Sequence, residues 1–263
     1  MDLHLTNKRA LVTGASRGLG YATARQLALE GCRVAINSRN LDKLTTAAQT
    51  LRTETASEVI SLPGDVTDSF FPAQLIAQVA AAFGGLDILV TNAGGPPPGK
   101  FEQFDDATWQ KAIDLSLMSH VRLIRAALPY LRQSPAASVL TITSVSIKQP
   151  IVNLILSNSV RAATVGLTKS LALELGREGI RFNSILPSWT ETERVYELMA
   201  NRAKMNNTTV EEEIAKQAVD SPLGRMGQPE EFANAAAFLV SPAASYITGV
   251  MLSVDGGMYK GTL

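Results

Sequence analysis

A glycine-rich loop near the N-terminus has the residue types and spacing that bind phosphate. Residues 13–20 read TGASRGLG, directly after the aliphatic run RALV and before a segment of helical periodicity. Gly14 lets the backbone turn, Gly18 lets it approach a pyrophosphate, and Gly20 permits close packing of the helix. The N–H groups and dipole of a helix N-terminus favour an anion, so we predict that this loop binds a nicotinamide dinucleotide. The remaining predicted contacts in the loop are Ser16, Arg17 and Leu19.

The end of the second predicted strand bears on which dinucleotide is bound. The strand VAINSRN ends in Ser38 and Arg39, where proteins that prefer NAD carry an acidic residue. Arg17 adds a second guanidinium, whose geometry suits a 2′-phosphate. We therefore predict that NADP(H) is preferred over NAD(H). The alternative is that both arginines are simply solvated surface residues.

The elements that position these residues follow from an alternation of short aliphatic runs and helical segments. Parallel strands need crossover connections, so the alternation predicts an α/β fold. We expect a single-domain Rossmann fold over residues 1–263, a doubly wound parallel sheet with helices on both faces. The predicted helices end at Leu29, Leu51 and Phe83, and a later one spans about Ala162 to Leu175.

The segment 189–229 is long, polar and irregular, and it follows a predicted strand end. Ligands of doubly wound sheets lie beyond the carboxyl ends of the strands, so we interpret this segment as a lid over the substrate. A surface helical hairpin is the alternative. Trp189, Tyr196 and Met199 either cover an apolar substrate or pack within the segment itself.

Composition restricts the function classes. Lysine plus arginine and aspartate plus glutamate number 24 each, without a basic block, so nucleic acid is not an expected partner. Cys32 is the single cysteine and cannot form an internal disulfide. The sequence lacks a signal peptide pattern and an apolar run of roughly 20 residues, so we expect a cytoplasmic protein with no membrane partner. No metal site is predicted.

The spacing of Gly14, Gly18 and Gly20 resembles the short-chain dehydrogenase/reductase family, and further motifs extend the resemblance over nearly the whole chain. The segments RMGQPEE and YITGVMLSVDGG, within 225–257, are similar to the C-terminal signature of the family. The resemblance implies a small-molecule carbonyl or alcohol substrate and a homo-oligomer, a tetramer or a dimer. It implies cofactor contacts by Asp65 and Val66 at the adenine, by Asn92, Ala93 and Gly94, and by Pro187 and Thr192 at the nicotinamide carboxamide and pyrophosphate.

In this family a serine polarises the carbonyl, a tyrosine transfers the proton, a lysine four residues later lowers the pKa of the phenol, and an asparagine relays protons. Ser144, in TITSVS, matches the serine. The family interval of thirteen residues then places Ser157 at the tyrosine position, and Arg161 falls at the lysine position. The asparagine position is Ser116.

Ser157 and Arg161 are four residues apart on one helix, so both are expected to face the cofactor. Arg161 can donate to the ribose hydroxyls, but its pKa is too high for it to be an acid. We hypothesise that a water held by Ser144, Ser157 and Arg161 delivers the proton. Lys148 is another candidate acid or anion ligand, and otherwise a solvated side chain. His120 is a possible relay or an interface residue.

The sequence thus favours an NADP(H)-dependent oxidoreductase that interconverts a carbonyl and an alcohol, with an atypical proton donor. Its alternative is a catalytically silent relative that binds a dinucleotide as a sensor or partner subunit. A lyase or isomerase on the same scaffold is a third hypothesis without a positive signal. The fold alone does not choose among them.

Overall fold

The carboxyl ends of a parallel sheet form the edge on which the predicted site residues lie. A computed structural model describes residues 1–262, so the last residue of the expected 1–263 domain lies outside the described residues. Within them, seven strands are hydrogen-bonded into one sheet. The strands are β1 (Arg9–Val12), β2 (Arg33–Ser38), β3 (Val59–Pro63), β4 (Ile88–Thr91), β5 (Ser138–Ile142), β6 (Arg181–Pro187) and β7 (Met251–Val254).

The strand order is β3-β2-β1-β4-β5-β6-β7, and all neighbours run parallel. The chain winds outward from β1 to β3 and then returns to continue from β4 on the other side of β1. This reversal creates a crevice between β1 and β4 at the carboxyl edge of the sheet, where doubly wound folds bind ligands. The predicted Rossmann fold is therefore confirmed.

Helices cover both faces of the sheet. The helices are α1 (Gly18–Leu29), α2 (Leu41–Thr55), α3 (Phe71–Phe83), α4 (Asp106–Ile113), α5 (Ser119–Leu131), α6 (Ile155–Leu175), α7 (Glu193–Asn206), α8 (Val210–Val219) and α9 (Pro229–Val240). The predicted ends at Leu29, Phe83 and Leu175 are confirmed, whereas α2 continues past Leu51 and α6 begins before Ala162. The early start of α6 places residues 155–161 on a rigid helix.

The apolar core forms two layers, one on each face of the sheet. Successive strand residues point to opposite faces, so Val12 belongs to one layer and its neighbour Leu11 to the other. The first layer packs the strands against α1, α2 and α9, and the second packs them against α3, α5 and α6. Both layers consist largely of Val, Leu, Ile and Ala, as expected for strands buried on both faces.

The segment 189–229 contains a helical hairpin formed by α7 and α8. Thr192 caps α7, and Thr209 with Glu212 forms a capping box at α8. Met199 is fully buried with Val195 and Met226 inside the hairpin. The segment is thus a helical hairpin, several of whose residues line the cleft described below, and its role as a lid over the substrate stays a prediction. Among residues 1–262, no helix combines the length and the apolar character needed to span a bilayer.

Candidate active site

A cleft of about 520 Å³ lies at the carboxyl edge of the sheet, between the glycine loop and the α7–α8 hairpin. One end is formed by the glycine loop, and the other by the segment after β5, the start of α6 and the C-terminal segment. The segment after β4 connects them, because Asn92 lies against Gly14 and Gly95 lies near Arg161. Of the predicted site residues, those lining the cleft are Gly14, Arg17, Gly18, Leu19, Asn92, Ala93, Gly94, Ser144, Ser157, Arg161, Pro187 and Thr192.

The glycine loop is shaped by the backbone contacts that its glycines allow. Gly14 has a φ of +59°, and a Cβ there would lie 2.8 Å from Nδ2 of Asn92. Nδ2 of Asn92 donates to the carbonyl of Gly14 at 3.1 Å. A Cβ on Gly20 would collide with the carbonyl oxygen of Gly14. The N-cap residue of α1, Arg17, makes no side-chain cap hydrogen bond, so no cap side chain occupies the N–H groups of the first turn, and Gly18 and Leu19 of that turn line the cleft.

The segments carrying the two arginines predicted to select a 2′-phosphate lie side by side. The hydroxyls of Ser16 and Ser38 are 2.9 Å apart, which joins the glycine loop to the end of β2. Arg39 lies 3.8 Å from the carboxylate of Asp65 and is 70% exposed. Arg17 instead reaches α7, where it pairs with two glutamates. Its partners are Glu193 and Glu197.

The remaining predicted cofactor residues surround the glycine loop or lie beside it. Thr192 lies opposite Gly18, because a Cβ on Gly18 would be 3.8 Å from the side chain of Thr192. Asp65 accepts hydrogen bonds from the backbone and hydroxyl of Thr67, and Val66 is buried. Several predicted residues do not line the cleft: Ser16, Gly20, Ser38, Arg39, Asp65 and Val66.

Ser144, Ser157 and Arg161 come together at the other end of the cleft. Ser144 lies two residues after β5 with an extended backbone, and its Oγ accepts a hydrogen bond of 3.1 Å from the N–H of Ser146. That bond occupies an acceptor site of the hydroxyl, so its proton can still be donated to a substrate carbonyl. Ser157 and Arg161 lie four residues apart on α6 and both line the cleft.

The guanidinium of Arg161 is buried and fixed in place. Its Nη1 donates to the carbonyl oxygens of Ile142 at 3.2 Å and Thr143 at 3.0 Å. Burial, followed by repulsion from Arg194, lowers the pKa of Arg161 to about 10. Arg161 is still protonated at neutral pH, so it is a positive charge and a hydrogen-bond donor at the floor of the cleft.

Buried hydroxyl groups surround this end of the cleft. Ser116 lies in a single π-helical turn, Asp114–Met118, and its carbonyl oxygen accepts from the hydroxyl of Thr164. The hydroxyls of Ser116 and Thr143 are buried and have no hydrogen-bond partner among residues 1–262. Ser116 does not line the cleft, whereas Thr143 does. Such uncompensated groups and π-helical turns are both frequent at functional sites.

Two other predicted participants lie away from the cleft surface. Nζ of Lys148 lies 5.1 Å from the ring centre of Tyr259. His120 is buried, with Nδ1 2.6 Å from the hydroxyl of Thr91. Burial, reinforced by the charge of Arg161, lowers the pKa of His120 to about 3, so this imidazole is neutral at physiological pH.

The structure adds cleft residues that the sequence analysis did not identify. Trp189 was predicted and lines the cleft, whereas Tyr196 is exposed outside it. Arg194 and Arg202 project from α7, and Tyr259 reaches the cleft from the C-terminal segment. The two arginines fall in the segment 189–229, which was predicted to cover the substrate, and that prediction could have identified them as candidate cleft residues. No local pattern marked Tyr259, because its position depends on the turn after β7.

Comparison with known proteins gives consistent results over almost the whole chain. A family model described as enoyl-(acyl carrier protein) reductase matches residues 14–259. The NADPH-dependent reductase BacG of Bacillus subtilis is 30% identical over 257 residues, covering 97% of this chain and 99% of BacG. The 3-oxoacyl-[acyl-carrier-protein] reductase FabG of Chlamydia trachomatis is 32% identical over 254 residues, covering 97% of this chain and 98% of the relative.

Solved structures agree with the sequence matches. L-sorbose reductase from Gluconobacter frateurii, in complex with NADPH and L-sorbose, superposes with a TM-score of 0.95 at 32% identity, covering 99% of this chain and 100% of that one. The glycine loop, the parallel sheet and the cleft at its edge thus occur in a chain that matches this family from end to end. We conclude that the protein belongs to the short-chain dehydrogenase/reductase family and is an NAD(P)-dependent oxidoreductase of carbonyl and alcohol groups.

Proposed function

We propose that the protein is an NADP(H)-preferring enzyme that interconverts a small carbonyl compound and its alcohol, with a proton pathway that uses Ser144, Ser157 and Arg161. The observation that carries this proposal is the fixed guanidinium of Arg161, which lies in the same cleft as the two serines. When bound, the cofactor supplies or accepts the hydride. The residues of this chain then have to bind the dinucleotide, orient the carbonyl and move one proton.

Residues of the glycine loop and of the strand ends fit the dinucleotide. The N–H groups at the start of α1 face the position opposite Thr192, where the pyrophosphate is proposed to bind. The ribose and the nicotinamide would be held by Asn92, Ala93, Gly94 and Pro187. NADP(H) preference is supported by the contact of Ser16 with Ser38, which brings the segments of Arg17 and Arg39 together. BacG is itself named as NADPH-dependent.

Carbonyl activation is assigned to Ser144, whose hydroxyl can donate to the substrate oxygen. Ser157 and Arg161 occupy the positions that correspond, by spacing, to the tyrosine and lysine of the family. The hydroxyl of Ser157 is a far weaker acid than a phenol. Because the serine side chain is shorter, this hydroxyl also lies closer to α6 than a tyrosine hydroxyl at the same position would. A water held by Ser144, Ser157 and Arg161 is therefore the proposed proton carrier, since the charge of Arg161 favours the deprotonated form of that water.

Turnover measurements on the purified chain with NADPH and a panel of ketones and aldehydes test this assignment. We expect Arg161→Ala to abolish turnover while NADPH binding remains measurable by calorimetry. Tyr259→Phe and Lys148→Met should keep turnover, because neither side chain is part of the proposed pathway. Arg132→Ala, a surface substitution beside Glu178, is the matched control for loss of an arginine.

The possible outcomes separate the alternatives. Unchanged turnover in Arg161→Ala would refute the water pathway, and loss of turnover in Tyr259→Phe would identify the phenol as the proton donor. NADPH binding without turnover on any substrate in the panel would favour the catalytically silent relative.

We also propose a homo-oligomer, a tetramer or dimer, assembled through α6. Its outer face exposes small and apolar side chains, at Ala162, Ala163, Gly166 and Leu173. Leu173 is 74% exposed and extends this apolar face along α6. Light scattering on the wild type and on Leu173→Glu tests this. We expect the substitution to lower the measured mass, and a monomeric wild type would contradict the proposal.

A further inference from the structure

Two arginine side chains from different elements converge at Gly95 in the cleft. A methyl group built on Gly95 would lie 4.0 Å from Nη2 of Arg161 and 3.9 Å from Nη2 of Arg194. Arg161 comes from α6, and Arg194 from the first turn of α7. Both line the cleft. Two guanidinium groups therefore point at one place from two sides of the site.

Within residues 1–262, the protein neutralises this pair of charges only in part. Arg161 has hydrogen bonds to two backbone carbonyls through Nη1, and no carboxylate lies within ion-pair distance of it. Arg194 has an acidic neighbour, Glu197, but the closest approach is 3.7 Å and involves Nη1. The two Nη2 groups that face Gly95 thus keep their donor capacity. Placing like charges together, one of them buried, is unfavourable unless an anion binds between them.

The position of the pair favours the substrate as the source of that anion. The proposed pyrophosphate position lies between Gly18 and Thr192, and the next residue, Glu193, is turned toward Arg17. Arg194 follows Glu193 by one residue, about 100° further round the helix, and faces Gly95 instead. Arg161 is anchored to the end of β5, next to Ser144. The pair therefore belongs to the end of the cleft where the carbonyl is expected.

We propose that the substrate is anionic, a keto acid or hydroxy acid whose carboxylate binds between Arg161 and Arg194 while its carbonyl or hydroxyl meets Ser144. This inference rests on the proposed function and specifies its substrate class. A carboxylate has two oxygens and so can accept from Nη2 of both arginines at once. Arg161 has five donors, so the carboxylate and the proposed water can share it with the two backbone carbonyls.

Binding of keto acids and of their uncharged amides, which have nearly the same shape, to the full chain tests the proposal independently of catalysis. The probes are 4-oxocyclohexanecarboxylate and 4-oxopentanoate, each compared with its amide, titrated calorimetrically with and without NADPH. We expect each carboxylate to bind about tenfold more tightly than its amide. Arg194→Gln should remove that difference and leave amide binding unchanged. Because the side chain of Arg194 is 45% exposed, the variant should fold. Lys204→Gln, an exposed charge on α7 outside the cleft, is the control.

Each other outcome is informative. If the wild type binds both amides as tightly as the carboxylates, the proposal is wrong. The proposal also fails if Arg194→Gln weakens NADPH and NADH equally while the carboxylate difference persists, because the pair would then bind the phosphates of the cofactor. Absence of NADPH binding in the wild type would refute the proposed function, whereas the titrations without cofactor would still decide the substrate class.

Discussion

The two ends of the cleft are built from different kinds of groups. At the cofactor end, the shape is set by backbone atoms, such as the carbonyl of Gly14 beside Gly20, and the side chains of Asn92 and Thr13 tie the loop to the end of β4. At the catalytic end, long side chains from several elements meet. Arg161 has no acidic partner there, and the hydroxyl of Thr143 is buried without a hydrogen bond among the described residues.

The difference indicates how each end responds to a ligand. Backbone N–H groups at the start of a helix are held by the helix itself, so the cofactor end is preorganised. Buried polar side chains without partners cost free energy until a bound molecule satisfies them. We therefore expect the cofactor end to tolerate changes of side-chain charge better than changes of backbone shape, and the catalytic end to behave in the opposite way.

The largest effect is expected from a methyl group at Gly20. In Gly20→Ala, the added Cβ would collide with the carbonyl oxygen of Gly14 and lie 2.7 Å from Nδ2 of Asn92. The loop has to move, so binding of NADPH and NADH should both weaken by about a hundredfold, with a loss of about 1–3 kcal/mol of folding stability. Calorimetry and thermal unfolding measure the two quantities.

Gly176→Ala is the matched control for this substitution, since a Cβ at Gly176 has nothing within 4 Å and its φ is −58°. It should leave cofactor binding unchanged. Wild-type affinity in Gly20→Ala would show that the loop is not shaped by its backbone contacts.

An intermediate effect is expected from the charges at the cofactor end. Arg17→Gln and Arg39→Gln should each weaken NADPH binding by about tenfold and change NADH binding little, because their proposed partner is the 2′-phosphate. Arg25→Gln is the control and should have no effect on either cofactor, because Arg25 also lies on α1 and also pairs with a glutamate, Glu54, but does not line the cleft. Equal losses for both dinucleotides would mean that these arginines do not select the phosphate.

The same division explains what could be predicted from the sequence. The glycine loop and the doubly wound parallel sheet follow from local spacing and the βα alternation, and the positions of Ser144, Ser157 and Arg161 follow from the family resemblance. The structure places the loop and these three residues at one cleft. Arg194 and Tyr259 were missed because their places depend on how distant segments pack. The ion pairs of Arg17 with Glu193 and Glu197 on α7 were also missed, because these glutamates lie far from Arg17 along the chain.

The smallest expected effect concerns the core beneath the catalytic end. Burial and the charge of Arg161 keep the pKa of His120 near 3, so its imidazole should stay neutral from pH 8 to pH 5. The chain contains two histidines, so the proton signal of His120 can be identified by its loss in His120→Gln. We expect this signal not to shift over that range.

This depressed pKa also predicts a stability effect with a definite sign. The unfolded imidazole has a pKa near 6.5 and binds a proton before the folded one does. The stability contribution of neutral His120 is therefore complete above about pH 6.5 and is lost as the pH falls toward 3, at up to about 1.4 kcal/mol per unit. His120→Gln should flatten the pH dependence of unfolding between pH 6.5 and pH 5. A His120 signal with a midpoint near pH 6.5 would instead make a proton relay through this residue feasible, and the catalytic end would then be connected to a titrating group in the core.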